Sequence, residues 1–584
     1  MLKILANENS FERRRSCLAQ AMVASVVAAV GFTPLTATAQ AQTTAPQASA
    51  EQGTGGAAAP FVRQLDTTPQ MTGAERHPQP LAPLKGVDPA TFALRKARAA
   101  QGPADPKVAS PPPVRPQSLE TPGASLVFNS TTEVACGFVA PADQAIAVGD
   151  TSVGVLQAIN VCLNVFNKSG VLQAGYPKSF TSFVGLPPGT PTTDPRAIYD
   201  WINHRYIVTF IQFDPSQRSA SSYWIAVSTG DNPAGGYCTY NLPVQSVGPS
   251  GGFFPLPDFP RLGQDRQAIY LASNIFNTPT SYKWEEILAL PKAQLYACTG
   301  FGFNFFFNLT VGGVVTDTTQ PANVFSAGDD PRSEYLVTSF NINFGGGQCS
   351  STPCNGLEVW AIHSPLSSPT LTGTFIATAN NYSLPPHASQ PGGANDIDTG
   401  DTRISGMAMY NAGSIYASIN AANGSHSKAI LYQIQPFVTA GGANDGQIAS
   451  AKILNEIVHG SSAFDVYYAT QQPDPEGNVT YAWNFSSSTS FPSLIYSSRR
   501  AAQTVGTEPD GGIFAVAGAG FYNQGFGSPP FRWGDYTAVA PGGLASAGGT
   551  GANPVMFFAG MFARSDGTWQ TAIGKNGYTA ITQP

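Results

Sequence analysis

Asp194-Pro-Arg196-Ala-Ile-Tyr-Asp200 is a short apolar run closed by the turn Trp201-Ile-Asn-His204, and Arg205-Tyr-Ile-Val-Thr-Phe-Ile-Gln-Phe213 follows at once. Ser222-Tyr-Trp-Ile-Ala-Val-Ser228, a turn rich in Gly, Asn and Pro, and Tyr237-Cys-Thr-Tyr240 complete the stretch. Short runs of β-branched and aromatic residues bounded by turn residues read as strands, and four of them joined by tight turns make one antiparallel sheet.

The start of that unit recurs. Asp258-Phe-Pro-Arg261, Asp330-Pro-Arg332, Asp401-Thr-Arg403 and the inverted Arg532-Trp-Gly-Asp535-Tyr536 each precede an apolar run, and Asp143-Gln-Ala-Ile-Ala and Phe464-Asp465-Val-Tyr are weaker copies. The copies stand roughly 50 to 75 residues apart, the spacing of a repeat architecture. The reading is an all-β chain, a single β-propeller of seven four-stranded blades, with six or eight as alternatives because two copies are weak. Ser125-Leu-Val-Phe128 is placed to pair with the last blade and close the ring, which removes exposed sheet edges. Composition agrees: 11% of residues are charged, and Gly (60) and Pro (48) are too frequent for a helical protein. A net charge of −6 offers no basic surface to nucleic acid.

Three regions are expected. Residues 1–41 have the layout of a signal peptide: Arg13-Arg-Arg15, an apolar run from Cys17 to Phe32 and small-residue cleavage sites at Ala37-Thr-Ala39 and Ala39-Gln-Ala41. Sec-type export fits better than twin-arginine export, because Ser-Cys follows the arginines. The chain is thus expected to be secreted, periplasmic or on the cell surface, with no membrane span once the signal is removed. Residues 42–122, rich in Ala, Pro, Thr and Gln, read as a disordered linker, and 123–584 as the propeller. The six cysteines beyond the signal read as three disulfides; neighbour pairing (Cys136–Cys162, Cys238–Cys298, Cys349–Cys354) is preferred among 15 possibilities.

The motifs Asp-Pro-Arg-Ala-Ile-Tyr-Asp, Asp-Phe-Pro-Arg-Leu-Gly-Gln-Asp, Gly-Asp-Thr-Arg-Ile and Arg-Trp-Gly-Asp-Tyr resemble those of secreted bacterial β-propeller proteins of largely unassigned function, loosely termed sialidase-like. The resemblance spans nearly all of 123–584 and implies fold, not chemistry. Ser565-Asp-Gly-Thr-Trp569 only echoes the sialidase Asp-box, and no arginine triad can be matched.

In a propeller the starts of the inner strands face the central channel, so Arg196, Arg261, Arg332, Arg403 and Arg532 would converge on one mouth, where guanidinium groups grip carboxylates or sugar hydroxyls. The opposing reading is structural: each Asp accepts turn N–H groups and each Arg pairs with a neighbouring blade, and the regular recurrence favours it. Asp396, Asp398 and Asp401 form a compact acidic stretch to be weighed as a Ca²⁺ loop against a plain turn. No other cofactor is indicated. His387 in its Pro-rich loop, with Asp535 and Tyr536, are the candidates for general acid–base chemistry. Phe301-Gly-Phe-Asn-Phe-Phe-Phe307 is either a sugar-stacking surface or a buried strand. No nucleophile elbow, zinc helix or phosphate loop is present. The expected function is a binding or surface-interaction module for a glycan, surface polymer or surface protein; the alternative is a glycoside hydrolase or polysaccharide lyase acting at the same mouth.

Overall fold

The computed structural model describes residues 48–65, 71, 87–105, 108, 110–113, 121–214, 221–248, 252–278, 280–325, 329, 331–340, 354–393, 397–503, 511–524, 529–543 and 555–578. The expected signal peptide, Asp330, Cys349 and Asp396 lie outside the described residues.

The chain is mostly β, and its strands pair antiparallel in consecutive fours; parallel pairing of Gln264 with Asn323, and of Ala322–Val324 with Ala408–Tyr410, also links the first strands of the third, fourth and fifth groups. The first sheet takes Ala145–Val148, Val155–Ile159, Cys162–Phe166 and Lys178–Ser179. The second takes Thr192–Asp200, Arg205–Gln212, Ser222–Ser228 and Gly236–Pro243, as the opening stretch of sequence predicts. Leu256–Gln264, Ala268–Thr278, Ser281–Pro291 and Phe301–Val311 form the third. The fourth runs Gln320–Val324, Glu334–Ser339, Cys354–His363, Thr370–Tyr382, and the fifth Ala408–Asn411, Ser414–Asn423, His426–Val438, Ile448–His459. The sixth is Asp465–Pro473, Val479–Ser487, Ser490–Arg499, Ile513–Val516. The last is Ala538–Gly543, Val555–Ala563 and Trp569–Asn576, completed by the early strand Leu126–Thr132.

First strands of successive sheets touch in chain order, and Ala538–Gly543 touches Ala145–Val148. Each adjacent pair of sheets shares an apolar core, for example Ile198, Ile207 and Ile225 against Leu262, Ile269 and Leu288, and Ile146 and Val148 against Phe557 and Ile573. Burial on both faces explains why these strands read as continuous apolar runs rather than alternating ones. Their first strands begin with a kink. Asp143, Asp194, Phe259, Thr318 and Tyr468 all have φ between 42° and 56°, and the register slips beside three of them, between Thr193 and Arg196, Asp258 and Arg261, and Tyr467 and Thr470. A bulge of this kind re-aims the neighbouring side chains.

Two expectations are corrected. The fourth sheet starts after Asp317, not at Asp330-Pro-Arg332; Arg332 instead precedes that sheet's second strand. Residues 42–122 are not uniformly a disordered linker. Ala48–Ala57 pairs with Phe301–Val311, Phe61–Gln64 pairs with Gly236–Pro243, and Pro89–Ala100 is a helix capped by Asp88. Glycines here serve packing: a Cβ on Gly53 or Gly55 would lie 2.4 Å from the Cζ of Phe305 or Phe303, the residues directly opposite. The rings fill the space that side chains at these two positions would take. Phe301, Phe303, Phe305 and Phe307 are buried between sheets, in agreement with the buried-strand reading of that run. Cys136–Cys162 and Cys238–Cys298 are disulfides, with Cα atoms 5.7 and 5.6 Å apart.

Candidate functional site

The starts of the first strands converge, and they bring four of the five candidate arginines to the middle. Arg196, Arg261, Arg403 and Arg532 are all at most 3% exposed. Each is held by protein groups. Arg196 Nε donates to the Pro260 carbonyl (2.7 Å), and its guanidinium lies 3.4 Å from the centre of the Tyr536 ring. Arg261 donates to the Thr319 and Phe259 carbonyls and to Glu285. Arg403 Nε donates to both oxygens of Asp401 (2.9 and 3.0 Å); its Nη1 is 3.6 Å from Asp258 Oδ2, and its guanidinium stands over Phe259 at 4.1 Å. Arg532 bonds the Gly534 carbonyl and Asp535 Oδ2, both at 2.6 Å. Arg332 is not brought to this cluster: it is half-exposed and pairs with Asp445 at 2.8 Å.

The aspartates complete the network. Asp143 Oδ1 accepts the Asp535 N–H (2.6 Å), tying the first sheet to the last, and Asp194 Oδ2 accepts the Phe259 N–H (3.1 Å), tying the second to the third. Asn160 joins them, donating to Asp143 Oδ2 and accepting the Asp194 N–H, both at 2.8 Å. Burial, and then the neighbouring Asp535, pushes the Asp143 carboxyl above the usual range; burial and then Asp258 do the same to Asp194. Burial likewise raises Tyr536 well above the ordinary phenol value. Asp535 and Tyr536, candidates for proton transfer, are 5% and 3% exposed. Chemically this is a buried hub that stitches sheets together. At the other end of the first strands Ile146, Ile198, Asn323, Met407, Gln472 and Val539 line a narrow space of about 10 Å³, room for no more than a single water.

His387 and Asp398 occupy the charged end, one layer out from the hub. Asp398 N donates to the Phe531 carbonyl (2.9 Å), its own carbonyl accepts the Tyr468 hydroxyl (3.1 Å), and its charge helps hold Arg532 protonated. Both remain partly open, at 21% and 16% side-chain exposure, with His387 Nδ1 3.6 Å from Asp398 Oδ1. Asp398 and Asp401, paired in sequence as possible cation ligands, face different partners: Asp398 meets Lys96 and Asp401 meets Arg403. Nearby, Asp465 accepts the N–H groups of Ser389 and Ser427 and lies 3.2 Å from His426 Nδ1, which raises the His426 pKa.

Sequence reasoning missed Lys96, Asn160, Asp317 and Glu285. Asn160, Asp317 and Glu285 are buried polar residues within strands or turns, a signal that exists only once burial is known. Lys96 sits in the presumed linker, with partners about 300 residues away.

No family model and no curated protein matches the chain. Among solved structures it is similar to an exo-β-1,3-galactanase from Phanerochaete chrysosporium (10% identity, 79% of this chain and 98% of that one, TM-score 0.27). It is also similar to an exo-β-1,3-galactanase from Clostridium thermocellum (11%, 63% and 78%, TM-score 0.28). A third is an endo-1,5-α-L-arabinanase from Thermotoga petrophila RKU-1 (13%, 74% and 98%, TM-score 0.23). Scores this low carry no fold or activity over to the present chain.

Proposed function

We propose that the chain is an exported seven-bladed β-propeller that works as a binding module, taking a glycan or other surface polymer at the charged end of the ring, around His387 and Asp398. The observation that carries this reading is the self-pairing of the hub. Arg196, Arg261, Arg403 and Arg532 are buried against carbonyls, carboxylates and rings, which supports a structural role for them and moves the ligand outward. His387 and Asp398 are partly open and polar, which suits recognition by hydrogen bonds. Export is supported by the two disulfides, which persist in oxidising compartments. Among the described residues no helix is long and apolar enough to cross a membrane.

The test is a glycan and polysaccharide array probed with the whole protein and with His387→Ala. Binding to at least one polymer that falls about tenfold or more in the variant is expected from losing one hydrogen bond to a charged or polar ligand group. Release of new reducing ends or unsaturated uronates from the bound polymer would replace this reading with the enzymatic one. No binding by the wild-type protein or by variants at this end would end it.

A further inference from the structure

Helix Pro89–Ala100 is held in an unusual way. Of its twelve residues only Lys96 is buried, and Leu94, which would normally anchor such a helix, is 61% exposed. A surface helix normally docks through an apolar stripe. Here the buried group is an ammonium. Lys96 Nζ lies 3.0 Å from Thr399 Oγ1, 3.4 Å from Asp398 Oδ1 and 3.5 Å from His387 Nδ1, with the Phe92 ring of the same helix 5.4 Å away. Thr399 Oγ1 is itself oriented, donating to the Pro386 carbonyl at 2.7 Å. The acceptors come from two segments, 385–387 and 398–399, that Ala388 and Ile397 bridge together. They form a built receptor for a primary ammonium, and the occupant belongs to the chain's own N-terminal segment.

We infer that this pocket is an ammonium-binding subsite of the ring, that Lys96 occupies it as a tethered stand-in, and that the external ligand it takes when the helix lifts is an unacetylated amino sugar of a polymer. The amino-sugar identity rests on the reading of this end as a glycan-binding surface; the pocket and the latch stand on geometry alone. A tethered group competes at an effective concentration on the order of millimolar. It therefore masks weak single-residue contacts while leaving a polymer, with many amines, able to displace it. The charged pair also makes the latch selective, because an N-acetylated sugar offers no cation to Asp398.

The experiment uses the full exported chain, Lys96→Met (which keeps the apolar stem) and Asp398→Asn. Tryptic cleavage after Arg98, in the last turn of the helix, reports the latch, and calorimetric titration with a glucosamine tetramer or an N-acetylglucosamine tetramer reports the pocket. Cleavage about tenfold faster in both variants is expected, since either removes the charge-assisted bond. The glucosamine tetramer should bind Lys96→Met about tenfold more tightly than wild type, and Lys96→Met/Asp398→Asn should lose that gain. Unchanged cleavage in both single variants would overturn the latch. Faster cleavage with no preference for glucosamine over its acetylated form, or with a lysine peptide bound in its place, would overturn the amino-sugar assignment. Binding to other polymers with neither effect would sink this inference while leaving the binding-module reading intact.

Discussion

Replacing Arg403 by alanine separates a hub that holds the ring from one that waits for a ligand. Arg403 is 3% exposed, meets both Asp401 oxygens at about 3 Å, approaches Asp258 at 3.6 Å and stacks on Phe259 at 4.1 Å. Two unit charges about 4 Å apart attract by about 4 kcal/mol at an effective dielectric of about 20. Removing one partner of a buried ion pair costs about 3–5 kcal/mol, because the other charge is left behind in a dry site. Unfolding entropy is about 2.1 cal/mol/K per residue, so the roughly 460 residues of the ring give about 1 kcal/mol per kelvin. Scanning calorimetry should therefore show the midpoint of Arg403→Ala falling by about 3–5 °C. Arg403→Ala/Asp401→Ala should recover part of that loss, since it leaves one stranded charge fewer. Arg332→Ala is the control: its half-exposed pair with Asp445 is worth at most about 1 kcal/mol. A shift below about 1 °C for Arg403→Ala, together with loss of polymer binding, would refute the structural assignment and return the arginines to the ligand.

Other consequences can be measured directly. Gly53→Val and Gly55→Val place side-chain atoms where the Phe305 and Phe303 rings lie, so strand Ala48–Ala57 should detach and raise binding of a hydrophobic dye severalfold. Burial holds the His459 imidazole down at about 3, so it stays neutral in the fold while the unfolded chain takes up a proton below about 6.5. Wild-type stability should then fall as pH drops from 6.5 to 3, and His459→Phe should remove up to about 1.4 kcal/mol per pH unit of that slope in denaturant titrations. Cys238→Ser with Cys298→Ser opens a loop of 60 residues and should lower stability by about 4 kcal/mol on the chain-entropy estimate, read as an earlier denaturant midpoint.

Much of the fold was legible because sheets buried on both faces write themselves as unbroken apolar runs with turn residues between. The copies beginning at Asp194, Asp258 and Asp465 head the strands expected of them. The fourth was misplaced because Asp330-Pro-Arg332 imitates the motif, whereas the true start, Asp317-Thr-Thr-Gln320, lacks an arginine. Gln52-Gly-Thr-Gly-Gly56 looked like linker because glycine has no side chain to advertise packing; the demand for it comes from Phe303 and Phe305 across the strand pair. The candidate site was less legible still. Convergence of four arginines was readable from their repeat, but not that they face each other's neighbours instead of solvent, a property of burial. Lys96 meets Thr399 from 303 positions away, and no local pattern marks such a contact.

The strand that completes the last sheet has a further consequence, in time rather than space. Ser125 bonds Lys575, 450 residues later. At about 5–20 residues per second, roughly 20–90 s separate the making of the two partners. Throughout that interval Leu126–Thr132 has no mate, and the first and last sheets cannot seal. A chain exported unfolded would complete its last sheet only after the final strand had crossed, and loss of Leu126–Thr132 would leave Trp569–Asn576 as a bare edge.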